Sequence, residues 1–397
     1  MRISTLSIQQ QSIRTMLEQQ SALVKTQQQI SSGERLTKPS DDPVAAQRML
    51  ELDAALQRTE QYQTNANLVR VRLNLEENAL DSADDVVQRA RELVVQASNS
   101  TQDVITQRNI ANEIRKLSDS LMAIANTQNG EGEYLFAGYQ SGTQPFARTA
   151  GNVAYFGDQG ERRLQVSDSL HLADGHSGSE VFQMIETGNG TFSVEPRGTN
   201  NGSGLMLAGG VTDPTSYDGG EYTIEFISST EFEVRDNAGV VLQTGSYVDG
   251  ETISFSGLQV SITGTPEPAD EFIVRPSSYQ DMFATLDAIA TALQGGASND
   301  AARAQLRSDL NAGMENLDRV LERLMQVRID VGNRLSTLDT QERANDEMSL
   351  QLESTLSDIR DLDFAEAITR LNLQMTGLQA AQQTYSRVQG LSLFNYL

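Results

Sequence analysis

Residues 310–338 read LNAGMENLDRVLERLMQVRIDVGNRLSTL, and residues 73–97 read LNLEENALDSADDVVQRARELVVQA. In the first stretch Leu310, Leu317, Leu324, Val331 and Leu338 recur every seven residues, with Leu306, Val320 and Val327 beside them. In the second, Leu73, Leu80, Val87 and Val94 keep the same interval, and Ala83, Ala90 and Ala97 form a row of small residues. An apolar residue at every seventh position keeps one stripe of a helix turned toward a partner. Small residues beside the stripe let two backbones approach. The two stretches predict long helices that wrap one another although they lie near opposite ends of the chain.

Outward from these seams the helical signal continues. Asp42 is a good N-cap and Pro43 suits a first helical turn, after a break at Gly33 and at Pro39-Ser40-Asp41-Asp42-Pro43. A helix from Pro43 to near Asn99 would be about 85 Å long. A turn near Asn99-Ser100-Thr101 precedes a second run, Ile110, Ile114, Leu117, Leu121 and Ile124. The two tails carry shorter stripes: Ile13, Met16, Leu23 and Ile30 at one end, Ile368, Leu371, Met375, Leu378 and Tyr385 at the other, followed by the apolar residues Leu391 and Phe394. A stripe of this size is only marginally helical by itself. These eleven residues are therefore expected to form an assembly interface, with both tails unstructured in the free subunit and helical once partners cover them.

Between the helical flanks the chemistry changes. Of 30 glycines, 23 fall between Gly130 and Gly264. The segments 222–226, 231–235, 240–242, 253–255 and 258–262 are short and mostly alternate apolar with polar residues, as strands of a sandwich or barrel do. Residues 141–280 hold 19 acids against 6 arginines, the pattern of a solvated surface. The fold class expected is α+β: an elongated antiparallel helical bundle or coiled-coil rod built from both chain ends, with an inserted all-β domain. The expected partition is a terminal assembly domain of 1–42 with 355–397, a rod domain of 43–140 with 279–354, and a β domain at 141–278. Residues 150–275 are expected to face outward.

Composition narrows function. The 397-residue chain carries a formal charge of −24, which repels nucleic acid and anionic membranes. It has no cysteine and so no disulfide or thiolate chemistry. No apolar stretch is long enough for a membrane span, and residues 1–30 lack the apolar core of a secretory signal peptide. His171 and His176 stand in a Gly/Asp-rich loop without further metal ligands at suitable spacing. Neither a phosphate-binding loop nor a nucleophile elbow occurs. The expectation is a protein that is not an enzyme and binds no cofactor or metal.

Specific strings then match a family. Ser32-Gly33-Glu34-Arg35-Leu36 with Ser40-Asp41-Asp42-Pro43-Val44-Ala45-Ala46 resembles the N-terminal signature of the flagellar hook-associated protein 3 family, within the wider flagellin family. Flagellins are similar here but lack the proline at Pro43. Met1-Arg2-Ile3-Ser4-Thr5, the string Gly132–Gly138 and Thr143-Gln144-Pro145-Phe146 point the same way. So do Asp330–Leu335, Asp361–Ala367 and the ending Leu391-Ser392-Leu393-Phe394. The resemblance covers roughly 1–146 and 280–397. It implies secretion through the flagellar type III apparatus with a dedicated export chaperone. It also implies assembly with copies of itself as a ring at the hook–filament junction, between the first hook-associated junction protein and the filament cap and flagellin. A divergent flagellin, or a secreted adhesin acting through the β domain, are the alternatives.

Overall fold

The computed structural model describes residues 5–99, 103–149, 151–296 and 300–390. The chain divides into two compact units, one drawn from Met1–Thr64 and Thr340–Leu397, the other from Asn65–Asp339. Helices α1 (Thr5–Ser32), α2 (Pro43–Ala97) and α3 (Val104–Ala125) precede the strands, and α2 begins where its capping signal lies: Asp42 Oδ1 accepts the Ala45 N–H at 3.0 Å. The other flank supplies α5 (Met282–Gly295), α6 (Asp300–Arg360) and α7 (Phe364–Gly390), numbered after the short α4 (Gly178–Phe182).

Within the unit Asn65–Asp339 the two long seams meet as expected. Leu73, Leu80, Val87 and Val94 of α2 share one buried cluster with Leu310, Leu317, Leu324, Val331 and Leu338 of α6. Arg91–Asp318 at 2.7 Å and Arg328–Glu77 at 2.8 Å cross the same helix pair at its solvent edge. Exposed pairs of this kind contribute little stability, about 0–1 kcal/mol each; the apolar stripe holds the helices. Helix α3 packs on α5, bringing Ile110, Ile114 and Leu121 into the cluster with Leu286, Ile289 and Leu293.

Short ladders cover this helical core: β1 (Phe146–Thr149) with β2 (Asn152–Tyr155), β3 (Arg163–Gln165) with β4 (His171–Ala173), and β5 (Ile185–Glu186) with the later β14 (Tyr279–Gln280). They close over four rings distant in sequence. Phe136, Phe146, Phe182 and Phe283 are fully buried, with centroids 5.1–6.1 Å apart in four of their pairs. The Phe136 carbonyl accepts the Gly178 N–H at 2.8 Å. A Cβ on Gly178 would lie 2.7 Å from that oxygen, so only glycine fits. The Tyr155 hydroxyl is within hydrogen-bond reach of the Phe136 and Asp158 carbonyls, and burial pushes its phenol up to about 12. The string Gly132–Gly138 thus serves packing.

A second core lies between Phe192 and Val274. It is a sandwich. One sheet has the order β10-β9-β8-β13-β6, and the other β11-β12-β7, every ladder antiparallel. The strands are β6 (Phe192–Pro196), β7 (Leu205–Val211), β8 (Tyr222–Ser228), β9 (Glu231–Asp236), β10 (Val241–Ser246), β11 (Thr252–Phe255), β12 (Leu258–Thr263) and β13 (Glu271–Pro276). Alternation buries Tyr222, Ile224 and Phe226 on β8 and Leu258, Val260 and Ile262 on β12 between the sheets. The chain enters and leaves the sandwich at one place, where the Ser277 N–H donates to the Thr191 carbonyl at 2.9 Å.

Two outcomes follow from this division of cores. Leu317→Ala should cost about 2–5 kcal/mol and lower the melting transition of the helical unit while sparing that of the sandwich; an unchanged thermal melt would place Leu317 outside the seam. Replacing Phe192–Pro276 with a Gly/Ser linker of a few residues should leave the helical unit cooperatively folded, because its cluster draws nothing from that segment. A non-cooperative melt of the shortened chain would show that the sandwich supports the helices.

Candidate assembly interface

Helix α1 packs against α7. The two helices meet at a corner where α1 ends and α7 begins, so they run antiparallel. Gly33 closes α1 at φ +76°, a conformation that favours glycine. Glu34 and Asp361 form an antiparallel bridge, with the Arg35 N–H on the Arg360 carbonyl at 2.7 Å and the Leu362 N–H on the Gly33 carbonyl at 2.9 Å. The Arg35 guanidinium donates to the Ile359 carbonyl at 2.8 and 3.0 Å, satisfying an otherwise free acceptor at the end of α6. Asp363 Oδ1 caps α7 through the Ala365 and Glu366 N–H groups at 2.9 and 3.1 Å. Lys25 pairs with Asp41 at 2.8 Å and, with a hydrogen bond from Thr37, holds that half-buried carboxyl below its usual range.

The facing surfaces are legible from exposure. On α1 a covered series runs Ser12, Met16, Gln19, Leu23, Thr26 and Ile30, with Gln29 buried beside its end; on α7 it runs Ala367, Leu371, Gln374, Leu378, Ala381 and Tyr385, with Arg370 and Gly377 half-buried beside it. Both series alternate steps of four and three, the spacing of a two-helix seam. Most of these side chains are only half-buried. The seam also contains polar layers, and the Oε1 atoms of Gln19 and Gln374 are buried without a hydrogen-bond partner. Each such atom costs about 1–3 kcal/mol.

The residues singled out in the sequence divide between two surfaces. Met16, Leu23, Ile30, Leu371, Leu378 and Tyr385 lie in the seam. Ile13, Ile368 and Met375 face outward instead, with Leu17, at 59% exposure, beside Ile13. Leu391 and Phe394 lie outside the described residues. Ser12, Gln19, Thr26 and Gln374 escape a reading by apolar periodicity because they are polar; only their heptad position marks them. Among the described residues no group of three or more His, Asp or Glu side chains is placed to hold a metal ion.

The helical ends match known protein regions. The bacterial flagellin N-terminal helical region matches residues 3–141, and the flagellin C-terminal helical region matches 314–397. Residues 197–276 match the D2-like domain of flagellar hook-associated protein 1. The crystal structure of FlgL from Xanthomonas campestris is 34% identical, with a TM-score of 0.73, over 77% of this chain and 99% of that one. The chain belongs to the flagellar hook-associated protein 3 (FlgL) family. Flagellar hook-associated protein 3 of Escherichia coli K12 is 27% identical across 99% of both chains. The flagellar junction protein FlgL of Legionella pneumophila is also 27% identical, with a TM-score of 0.71, over 79% of this chain and all of that one.

The relatives are structural flagellar proteins, and the family's strings sit at the corners just described. Ser32–Leu36 and Asp361–Ala367 make the clasp between α1 and α7, and Ser40–Ala46 starts α2. FlgL-type helical ends with an inserted antiparallel β domain are thus built from turns and caps as much as from seams. A half-covered seam with two unpaired amide oxygens should open easily in a lone subunit. Hydrogen exchange on the monomer should find the amides of α1 and α7 exchanging faster than those of residues 65–97 by on the order of 100-fold. Equal protection of the two sets would show that the seam is self-sufficient.

Proposed function

We propose that this chain is a subunit of the ring that joins hook to filament, exported by the flagellar type III system. The observation that carries the reading is the outward apolar row on α1 and α7: Ile13, Leu17 and Val24, with Phe364, Ile368 and Met375. Exposed apolar area of this kind calls for a partner. A partner helix laid along the row would cover it and bring side chains near the unpaired Gln19 and Gln374 oxygens. Identical subunits contacting head to tail close into a ring where the rotation allows. In this reading 1–42 with 355–397 is the assembly domain, 43–140 with 279–354 the rod and 141–278 the insertion, whose first part packs on the rod and whose sandwich is Phe192–Pro276. Ile13, Ile368 and Met375 form the outward part of the contact, the half-buried seam residues Met16, Leu23, Ile30, Leu371, Leu378 and Tyr385 back it, and it continues to Leu391 and Phe394. The partners are neighbouring copies, the first hook-associated junction protein below, and flagellin with the filament cap above. An export chaperone covers the C-terminal segment beforehand.

Deleting residues 385–397 tests the assignment, because it shortens the contact and leaves the core of Asn65–Asp339 intact. Immunogold labelling should find the full chain at the hook–filament boundary. The shortened chain should be soluble, folded and exported, yet appear in the medium with shed flagellin. A normal, firmly attached filament built with the shortened chain would remove the assembly role from this segment. Label along the whole filament would point to a flagellin instead.

A further inference from the structure

Around His176 several charged side chains are enclosed: Glu76, Arg72 and Asp174 are buried with it, while Asp330 and Arg162 reach solvent. His176 lies in the loop Asp174–Ser177 between β4 and α4, its side chain 2% exposed. Its Nδ1 is 2.8 Å from Glu76 Oε1 on α2, itself equally enclosed, and its Nε2 is 3.1 Å from Asp330 Oδ2 on α6. The His176 backbone N–H donates to the same Glu76 oxygen at 3.2 Å. One side chain therefore bridges the two long helices.

The ring's protonation follows from its neighbours. A neutral imidazole has one N–H and one bare lone pair. A lone pair facing a carboxylate oxygen at hydrogen-bond distance is repelled, so two carboxylates on two ring nitrogens require two N–H groups. The surrounding charges agree. From α2, Arg72 reaches Glu133 at 3.0 Å and Asp174 at 3.5 Å. Arg162 lies 2.6 Å from Asp174. From α6, Arg334 reaches Glu161 at 3.3 Å and Asp330 at 3.0 Å, and donates to the Gly175 carbonyl at 3.2 Å. Arg163 lies 2.9 Å from Glu161 as well, so four guanidiniums face five carboxylates once Glu76 is counted. Among the described residues no guanidinium pairs with Glu76, and its second oxygen is buried without a hydrogen bond. The imidazolium is the cation that Glu76 requires.

We propose that His176 is a charged latch: as an imidazolium it holds the loop Asp174–Ser177 against α2 and α6, and its deprotonation at alkaline pH releases the loop together with α4. The consequence reaches the β sandwich, because this loop leads through α4 into β5 and β6, and α4 carries Phe182 of the aromatic cluster. Burial, and to a smaller extent the charge of Arg334, would lower the His176 pKa; the hydrogen bond and charge of Glu76, aided by Asp330, outweigh them and hold the group above the ordinary 6.5. Asp330 is held below its usual range by the same bond. A folded-state pKa above the open-state value gives stability that is complete below about pH 6.5 and lost as pH rises through the folded value. The Tyr155 phenol nearby, at about 12, keeps its proton through this window.

The chain has only two histidines, and His171 is exposed, so it serves as an internal reference. Nitrogen-15 NMR of the full-length protein with labelled histidine should show His176 protonated on both ring nitrogens at neutral pH, titrating above His171. Exchange of amides 174–182, corrected for the intrinsic pH dependence, should rise about tenfold per pH unit from about pH 6.5. It should level off at the His176 pKa found by NMR. His176→Gln should abolish the rise and exchange at the plateau rate throughout. Asp330→Asn, at a half-exposed position, should lower the His176 pKa and move the plateau with it. A single neutral tautomer at pH 7, a His176 pKa at or below that of His171, or pH-independent exchange in the unaltered protein would each overturn the proposal, whether or not the His176 variant folds.

Discussion

The apolar seam between α2 and α6 is the contact on which the unit Asn65–Asp339 depends. Leu73 to Val94 and Leu310 to Leu338 are buried in a single cluster, and each such side chain contributes roughly 1.5–3 kcal/mol on leaving water. The other elements of the helical core attach to this pair. The cluster includes α3 and α5, the aromatic rings and the short ladders, while the ion pairs along the helix edges align what the stripe already holds.

The seam of α1 with α7 is built on the same heptad geometry with different chemistry. Where α2 places leucine and valine, α1 places Ser12, Gln19 and Thr26, and α7 places Gln374. Fewer buried methyl groups and two stranded amide oxygens leave little margin over the entropy of ordering the helices. The same repeat therefore yields a self-sufficient core in one part of the chain and an incomplete one in another.

How much of this was legible depended on period and on distance. The seven-residue spacing marked α2 and α6 because it persists over many turns. Alternation marked β8, β9, β11 and β12. Strand β13 did not stand out: Phe272, Ile273 and Val274 are buried in succession, so no alternation survives. Helix α5 is too short to establish a heptad. The family strings located the corners, but Arg35 on the Ile359 carbonyl depends on a partner at the far end of the chain. His176 was hidden for the same reason. In sequence it stands among glycines and aspartates, and its meaning comes from Glu76 and Asp330, which only the α2–α6 pairing brings together.

The two separate clusters also impose an order of events on a chain that emerges from its N-terminus. The sandwich cluster draws its residues from Phe192 to Val274, whereas the helical cluster needs both Leu73 and Leu338. The sandwich can close as soon as β13 is available. Helix α2, made earlier, must wait for α6, and its apolar stripe stays uncovered through the synthesis of everything between them. Closing so large a loop costs chain entropy and slows the search. The first long helix to be made is therefore among the last to find its partner, and the nascent chain carries an exposed leucine–valine edge, a surface open to aggregation, for most of its elongation.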